Sequence, residues 1–301
     1  MQTEIQEFRE KEGIILQGVG SFYTIGTDDG NTYILRCKKK FRHRGISPLT
    51  GDRVLFTPGE GEEHGWLEEI LPRKTVCLRP PVANVETLII VLAPVPAPDL
   101  LLTDRLICRA YAQDMRVIIA VNKDDLDPTL KDRIRQEYAG AGLQVIPVCA
   151  LEKTGLEALR DAMGGRLCCF TGQSGVGKST LLNALLDLEL ETGDISRKIA
   201  RGKNTTRHAE LIRKNGLQVV DTAGFNLLET ERNIPPETLK ERYPEFLPYE
   251  GKCRFRECLL DREPGCAVAV AVQEGKITAE RVERYRMLLN EVRESWRERY
   301  D

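Results

Sequence analysis

A glycine-rich segment carries the strongest chemical signal in this sequence. Residues 172–179 read Gly-Gln-Ser-Gly-Val-Gly-Lys-Ser, which matches the phosphate-loop pattern G-x-x-x-x-G-K-[ST] in full. Glycines let consecutive backbone N–H groups turn inward around phosphate oxygens, and the positive end of the next helix points at them. We expect Lys178 to reach the β- and γ-phosphates and the Ser179 hydroxyl to ligate Mg²⁺. The predicted nucleotide contacts are Gly172, Gln173, Ser174, Gly175, Val176, Gly177, Lys178, Ser179 and Thr180.

A second motif, Asp221-Thr222-Ala223-Gly224, directly follows the predicted strand 218–220. Nucleotide hydrolases place an acidic residue at a strand end near Mg²⁺, then a glycine whose N–H senses the γ-phosphate. Asp221 and Gly224 hold those two places. The tetrapeptide is weak evidence alone, but downstream of a phosphate loop it indicates a hydrolase.

The base of the nucleotide is indicated by Asn122-Lys123-Asp124-Asp125, an N-K-x-D motif after the predicted strand 116–121. The Asp125 carboxylate can accept hydrogen bonds from N1–H and the exocyclic amine of guanine. Adenine offers neither donor, so ATP would leave a buried carboxylate unpaired, at a cost of a few kcal/mol. Cys149-Ala150 follows another predicted strand, where GTPases usually carry Ser-Ala, and the Ala150 N–H would face guanine O6. GTP and GDP are therefore the predicted ligands.

The order of these motifs along the chain is unusual. The guanine-reading segments precede the phosphate loop, whereas in ordinary GTPases they follow it. The strands of the sheet can keep their places while the chain termini move, so the order predicts a circular permutation. It also joins the Asp221 loop to the C-terminal region, which suggests that a loop responding to the γ-phosphate pulls on that region.

Alternating strands and helices are expected to position the motifs. Apolar strands are predicted at 87–92, 116–121, 144–148 and 166–171, and helices at 101–113, 128–141 and 179–186. This alternation predicts a doubly wound, mostly parallel sheet. Two further strands, 210–214 and 218–220, are predicted to pair across Asn215-Gly216, a strong hairpin signal.

Short β segments precede this region, at 14–19, 22–26, 32–36, 53–57 and 65–70. They predict a small closed barrel such as an oligonucleotide/oligosaccharide-binding (OB) fold, which the strand count favours over an SH3-like barrel. The dense basic run Arg36–Arg44 includes Phe41 and His43, which suits phosphate contact and base stacking. A merely solvated loop is the alternative.

The C-terminal part is predicted to end in a helix that runs from the N-cap Thr278 to about residue 300. Its apolar stripe, spaced three and four residues apart, is expected to pack on its own domain rather than on a partner: Val282, Tyr285, Leu289, Val292 and Trp296. A cysteine-bearing loop, Cys253–Cys266, precedes the helix.

Composition and charge narrow the class of protein. The formal net charge of the 301 residues is −2, so any basic surface that attracts nucleic acid must be local. The start of the chain lacks signal-peptide features, and the longest apolar run is too short to span a membrane. Nine cysteines, an odd number, do not form a disulfide framework. We expect a cytoplasmic protein that makes no membrane contact.

The barrel, the permuted motifs and the cysteine-bearing C-terminal part together resemble the ribosome small-subunit-dependent GTPase A (RsgA) family, over essentially the whole chain. Local matches are Gly51-Asp52-Arg53-Val54, Leu71-Pro72-Arg73-Lys74, Arg79-Pro80-Pro81-Val82-Ala83-Asn84-Val85 and Glu263-Pro264-Gly265-Cys266-Ala267-Val268. The resemblance implies an OB-fold RNA-binding barrel (1–74), a circularly permuted GTPase domain (75–228) and a mainly helical C-terminal domain with a zinc-binding loop (229–301).

A function is implied as well. Members of this family bind the small ribosomal subunit and its rRNA and assist its late maturation, with GTP hydrolysis stimulated by the subunit. By resemblance, this chain does likewise, as a monomer, and its basic run contacts RNA.

Two positions depart from the family. Its switch segment G-R-H-T-T reads Gly202-Lys203-Asn204-Thr205-Thr206 here, so Asn204 replaces the histidine proposed to position the attacking water. Thr205 or Thr206 still offers Mg²⁺ a hydroxyl, and we take Thr205 as the ligand. The zinc pattern C-x4-C-x-H-x5-C becomes Cys253, Cys258, Leu260 and Cys266. Three thiolates do not complete a structural zinc site, so Asp261 or water would have to supply a ligand, and a cysteine-bearing core without metal is the alternative.

Two rival functions follow from these features. Loss of the histidine permits a GTP-dependent RNA-binding switch with negligible turnover. An ATPase or small-molecule kinase would satisfy the phosphate loop alone, but residues 122–125 argue against it.

Overall fold

The computed structural model describes residues 10–43, 45–59, 63–78, 81–188, 209–222, 234–255 and 258–298. Its strands there are β1 (Lys11–Val19), β2 (Phe22–Gly26), β3 (Thr32–Cys37), β4 (Arg53–Thr57), β5 (Gly65–Ile70), β6 (Val76–Leu78), β7 (Pro81–Ala83), β8 (Thr87–Leu92), β9 (Arg116–Val121), β10 (Gln144–Pro147), β11 (Leu167–Thr171), β12 (Ala209–Lys214) and β13 (Leu217–Thr222). The helices are α1 (Lys39–His43), α2 (Leu100–Tyr111), α3 (Leu130–Glu137), α4 (Leu156–Met163), α5 (Lys178–Leu186), α6 (Ala267–Gln273) and α7 (Ala279–Arg297), with 3₁₀ segments at Ala139–Ala141, Pro236–Arg242 and Pro244–Tyr249.

These residues divide into two compact units. The first takes the described parts of Met1–Glu86, Gly165–Phe170 and Leu190–Phe225. The second takes those of Thr87–Gly164, Thr171–Glu189 and Asn226–Asp301.

A closed five-stranded barrel, in the order β1-β2-β3-β5-β4, dominates the first unit. Strand β1 pairs antiparallel with both β2 and β4, while β3 runs parallel to β5. The predicted OB-type barrel is thus confirmed. Alternate strand side chains point inward and, together with Phe41 of α1, form the almost completely buried barrel core: Ile15, Ile25, Leu35, Phe41, Val54, Phe56 and Leu67.

Three of the sequence stretches that resemble the family, 51–54, 71–74 and 79–85, meet in the first unit. Arg73 donates from Nε and Nη2 to the two carboxylate oxygens of the fully buried Asp52, at 2.7 and 2.8 Å. Asn84, at φ 60°, donates to Gly51 O and accepts from the Lys74 N–H. A forked, charge-assisted contact of this kind holds the linker in one orientation, which explains these motif residues structurally.

Three further strands of the first unit form a small mixed set. Strands β12 and β13 are antiparallel, and β11 runs parallel to β13. The hairpin turn is at Asn215 and Gly216, both with positive φ (53° and 73°), as in a type I′ turn. The predicted hairpin is confirmed.

In the second unit, β8, β9 and β10 form a parallel set with β9 in the middle. Strand β8 is buried along its whole length, as expected for a parallel strand covered on both faces. Helices α2 and α3 lie in the connections, at the places where the alternation predicts helices. Helix α4 was not predicted, and neither was the β6–β7 pair of the first unit.

A helical C-terminal part completes the second unit. Helix α7 begins after Thr278, whose hydroxyl caps the Arg281 N–H at 3.2 Å. Its predicted apolar stripe faces inward, with Val282, Tyr285 and Leu289 at most 3% exposed. These residues share a core with Cys108 of α2, so the helix packs on its own unit. No described helix is long and apolar enough to cross a membrane.

Candidate nucleotide site, barrel surface and cysteine cluster

The phosphate-loop segment connects β11 to α5, which is the strand–loop–helix context that its motif requires. Gly172 has φ 134°, and a Cβ there would lie 2.3 Å from Val91 O. Gly177 has φ 91°, and its Cβ would lie 2.5 Å from Asn122 Nδ2. Only glycine fits either position, so the glycines of the motif serve close backbone packing.

Lys178 is folded into the loop that precedes it. Its Nζ donates to Gly172 O at 2.8 Å and to Gln173 O at 2.6 Å. Burial lowers the pKa of this ammonium. Ser179 is exposed on the first turn of α5, the position from which its hydroxyl can meet solvent or an ion. The loop is therefore shaped and charged for an anion.

Asn122 joins three segments that are distant in sequence. Its Nδ2 donates to Val176 O at 2.9 Å, and its Oδ1 accepts from the Ala150 N–H at 3.1 Å. The side chain is 2% exposed, so both hydrogen bonds are shielded from water. The Ala150 N–H thus has a protein acceptor rather than facing an open base pocket, and its predicted contact with guanine O6 stays a prediction.

Lys123 makes a second link between the same segments. It has φ 59°, and its Nζ donates to Gly175 O at 2.8 Å and to Val95 O at 2.6 Å. The stem of the side chain therefore runs alongside the phosphate loop. Residues 122–123 and 172–177 therefore form one structural group.

Asp125 is exposed, but the buried Cys149 orients it. The Cys149 Sγ donates to Asp125 Oδ1 at 3.0 Å. Burial raises the pKa of this thiol, and the hydrogen bond to Asp125 raises it further, so the group stays a protonated donor. Cys149 can therefore replace the serine that GTPases usually carry at this position, since a thiol and a hydroxyl each donate one hydrogen to the carboxylate.

Gln173 has a structural role that the sequence did not reveal. Its Oε1 accepts from the Asp99 N–H at 2.9 Å, and its Nε2 donates to Ala97 O at 3.1 Å. Asp99 in turn caps α2 by accepting from the Leu102 N–H at 2.9 Å. The side chain therefore fastens the phosphate loop to the start of α2.

Part of the predicted site falls on residues 189–208 and 223–233, which the structure does not describe. Asn204, Thr205 and Gly224 lie outside the described residues, and Asp221 is described only as backbone at the end of β13.

The basic run is described in part, and one expectation about it is wrong. Phe41 is 6% exposed and belongs to the barrel core, so it cannot stack on a base. Lys38 forms an ion pair with Glu68 of β5, and Lys40 lies 4.0 Å from the same carboxylate. These contacts partly neutralise the charge that the sequence assigned to nucleic acid.

An exposed aromatic row on the barrel was missed. In the strand register, Phe22 pairs with Arg36 and Arg36 pairs with Trp66, so the three lie side by side across β2, β3 and β5. All three are exposed, Trp66 by 44%. The Arg36 guanidinium lies 5.2 Å from the Phe22 ring centroid, and the His64 ring packs on the edge of Phe22 at 4.9 Å. The signal available in the sequence was the period-two alternation of the strands, which places Arg36 and Trp66 on the face opposite the buried neighbours Leu35 and Leu67.

The sulfurs of Cys253, Cys258 and Cys266 all lie within 4.8 Å of one another. Burial raises the pKa of the Cys258 thiol to about 12, so a metal ion would have to displace its proton. Asp261 is not among the residues whose ligand atoms converge here, and its Oδ2 pairs with Arg293 Nη1 at 2.7 Å. The suggestion that Asp261 supplies a ligand is therefore wrong in this arrangement, while the three cysteines do come together.

Comparison with known proteins places these features in context. A model of the RsgA GTPase family matches residues 70–231, and one of the RsgA N-terminal domain matches 12–67. The chain is 44% identical over 279 residues to the small ribosomal subunit biogenesis GTPase RsgA of Ruminiclostridium cellulolyticum, covering 91% of each protein. The crystal structure of YjeQ from Thermotoga maritima matches with a TM-score of 0.80 at 30% identity, covering 94% of this chain and 99% of that one. YloQ, a circularly permuted GTPase, matches with a TM-score of 0.77 at 28% identity, covering 97% and 98%.

Proposed function

The chain belongs to the RsgA family of GTPases, and from that membership we propose that it hydrolyses GTP while assisting the late maturation of the small ribosomal subunit. The observation that carries the nucleotide part is the hydrogen bond from Asn122 Nδ2 to Val176 O. It holds a guanine-reading motif against a phosphate loop, a pairing that suits GTP.

The nucleotide would be held from two sides. Lys178 and the backbone N–H groups of 172–177 neutralise the phosphates, and Asp125 accepts from the guanine edge. Cys149 orients that carboxylate, because its thiol already donates to Oδ1. The Lys123 side chain would lie between the base and the phosphates, since its Nζ donates to Gly175 O of the phosphate loop. The Gln173 side chain acts on the loop rather than on the ligand, since both ends of its amide have protein partners, while its backbone N–H remains among those proposed to face the phosphates.

Hydrolysis requires positioning and charge neutralisation more than covalent chemistry by the protein. Mg²⁺, when bound, neutralises charge on the β- and γ-phosphates. Ser179 and Thr205 are its proposed ligands, and Asp221 keeps the magnesium role that its motif predicts. Asn204 would orient the attacking water, since an amide can donate and accept but takes up no proton near neutral pH.

RNA contact is the part of the proposal that depends on the barrel. The strand 2–3 face of OB folds binds oligonucleotides, and the exposed row of Phe22, Arg36 and Trp66 lies on that face. Nearby lysines add charge, although Lys38 is paired with Glu68. We therefore propose that RNA contacts mainly the row of Phe22, Arg36 and Trp66, and that residues 37–44 of the basic run contribute less.

The finer assignments also belong to this proposal. We propose the domain boundaries 1–74, 75–228 and 229–301, a monomeric state and a cytoplasmic location. The alternative function is a GTP-dependent RNA-binding switch with negligible turnover, which the replacement of the family's switch histidine by Asn204 favours.

GTP turnover measured with and without purified small subunits separates the two functions. We expect slow basal hydrolysis and clear stimulation by subunits. Asn204→Ala should lower the stimulated rate without changing GTP affinity. Tight GTP binding with no stimulation at saturating subunits would favour the switch, and equal competition by ATP would contradict both.

A further inference from the structure

Thr50 lies in the loop that enters β4 and contacts a strand 159 residues further along the chain. Its Oγ1 donates to Ala209 O at 3.0 Å. Both residues are buried, so this hydrogen bond is shielded from water. It joins the barrel to the first residue of β12 within the first unit. Because a buried carbonyl without its donor is costly, the contact fixes the start of β12.

Backbone hydrogen bonds hold the loop around Thr50 on two sides. The Gly51 N–H donates to Ile15 O of β1 at 2.8 Å, and the Ile15 N–H donates to Asp52 O at 2.9 Å. On the other side, the Ala83 N–H of β7 donates to Thr50 O at 2.9 Å. The Thr50 hydroxyl is therefore presented to β12 from a fixed part of the first unit.

The start of β12 adjoins the end of β13, where the acidic motif begins. In the antiparallel register Ala209 pairs with Thr222, and the next pair includes Asp221. A shift of the backbone at Ala209 therefore passes directly to the backbone of Asp221, the acid that its motif assigns to magnesium. In the sequence, the switch segment 202–206 precedes β12 and Gly224 follows β13. Thr50 thus holds the sheet at the point where both nucleotide-sensing motifs join it.

A second contact reaches the far end of β12. Arg213 donates from Nη2 to Asp28 Oδ1 at 2.9 Å and from Nη1 to Thr27 O at 3.3 Å, both in the turn between β2 and β3. The Asp28 side chain is almost fully exposed, so this ion pair contributes little. Arg213 lies about 13 Å from Ala209 along an extended strand. The barrel holds β12 at both ends, and the buried contact is the one beside Asp221.

We propose that Thr50 is a positioning residue for GTP hydrolysis, acting through Ala209 on the place where Asp221 leaves the sheet. This inference rests on the proposed function. Phosphoryl transfer depends on exact placement of the groups around the γ-phosphate, whereas affinity for GTP comes mainly from the phosphate loop and the guanine contacts. Loss of the Thr50 hydroxyl should therefore lower kcat more than it raises KM. The barrel then serves hydrolysis directly, besides its proposed contact with RNA.

Thr50→Val tests this role, because it keeps the shape of the side chain and removes the hydroxyl. GTP turnover of the full-length protein is measured without ribosomal subunits, so that RNA contact by the barrel does not contribute. We expect kcat to fall about three- to tenfold with KM little changed. Thr50→Ser keeps the hydroxyl and should restore most of the rate. Asp28→Asn is the matched control, because it weakens the exposed contact at the far end of β12, and it should keep the full rate.

Hydrogen exchange gives a readout that needs no hydrolysis. Amides of 209–214 should exchange faster in Thr50→Val than in the unmodified protein or in Thr50→Ser, while unchanged exchange in β1–β5 shows that the barrel is folded. A full rate in Thr50→Val, a lowered rate that Thr50→Ser does not restore, or equal exchange in all three proteins would overturn the positioning role and leave the GTPase assignment untouched. Absence of turnover in the unmodified protein, with and without subunits, would instead contradict the proposed function, and the positioning role with it.

Discussion

Asp104 of α2 and Arg281 of α7 form an ion pair sealed from solvent, with 2.5 Å between Oδ1 and Nη1. Arg281 also meets Glu245 through Nε at 2.6 Å, and Arg284 reaches the other Asp104 oxygen at 2.7 Å. Tyr138 donates its hydroxyl to Asp104 Oδ1 at 2.6 Å. Ion pairs thus connect α7 to α2, and Gln173 connects the start of α2 to the phosphate loop through hydrogen bonds.

Removal of one partner from this pair should destabilise the second unit strongly. Asp104→Asn keeps the shape but removes the buried carboxylate that Arg281, Arg284 and Tyr138 share, so we expect the free energy of unfolding to fall by about 3–5 kcal/mol. Urea denaturation followed by circular dichroism measures the change. Glu291→Gln is the control, because its pair with Arg105 is partly exposed and should be worth at most about 1 kcal/mol. Equal effects of the two variants would contradict the role given to burial.

Guanine selectivity should depend on Asp125. Asp125→Asn replaces an acceptor carboxylate by an amide, and we expect GTP binding to weaken by about 2–4 kcal/mol, measured by calorimetry. Xanthine carries a carbonyl where guanine carries the amine, so xanthosine triphosphate should bind the variant better than GTP does. An unchanged GTP affinity would refute the assignment.

The contact between Cys149 and Asp125 predicts a pH dependence with a definite sign. Since burial raises the pKa of this thiol above its ordinary value, the folded protein keeps the proton after the unfolded chain has lost it. Stability from this group is therefore complete at neutral pH and falls as pH rises above the ordinary thiol range, about 8.5. Unfolding measured between pH 7 and 10 should show a smaller decline in Cys149→Ser, whose hydroxyl donates without titrating. Parallel curves would rule this contact out as the cause.

Local sequence signals predicted the parts of the fold that depend on neighbouring residues. The glycines at 172 and 177, the Asn215-Gly216 turn and the Thr278 cap each impose a backbone geometry by themselves. Hydrophobic periodicity likewise predicted the inward face of α7, because a three-and-four spacing places its members on one side of a helix. The alternation of strands and helices has the same local origin.

Features that depend on long-range pairing could not be read in this way. Phe41 looked like a stacking residue because its neighbours are basic, but the short helix α1 turns it into the barrel core. The row formed by Phe22, Arg36 and Trp66 exists only once the register of three strands is known. Asp261 is close to the cysteines in sequence, but its carboxylate pairs with Arg293, which lies 32 residues further along the chain.

The exposed row on the barrel makes a prediction that one of its own residues can report. The chain has two tryptophans, so Trp296→Phe leaves Trp66 as the only one. Stacking of a base on the indole should quench its fluorescence when single-stranded RNA is added, and Trp66→Ala should weaken binding by about 1–3 kcal/mol. Phe255→Ala is the matched control, because Phe255 is 47% exposed with the Arg254 guanidinium 5.7 Å from its ring. Lys39→Ala should instead lower affinity and flatten the salt dependence, since Lys39 is exposed and its ammonium is free to approach phosphates, unlike Lys38 and Lys40 beside Glu68. If RNA binds without quenching Trp66, and Trp66→Ala binds as well as Phe255→Ala, the RNA contact lies elsewhere on the barrel.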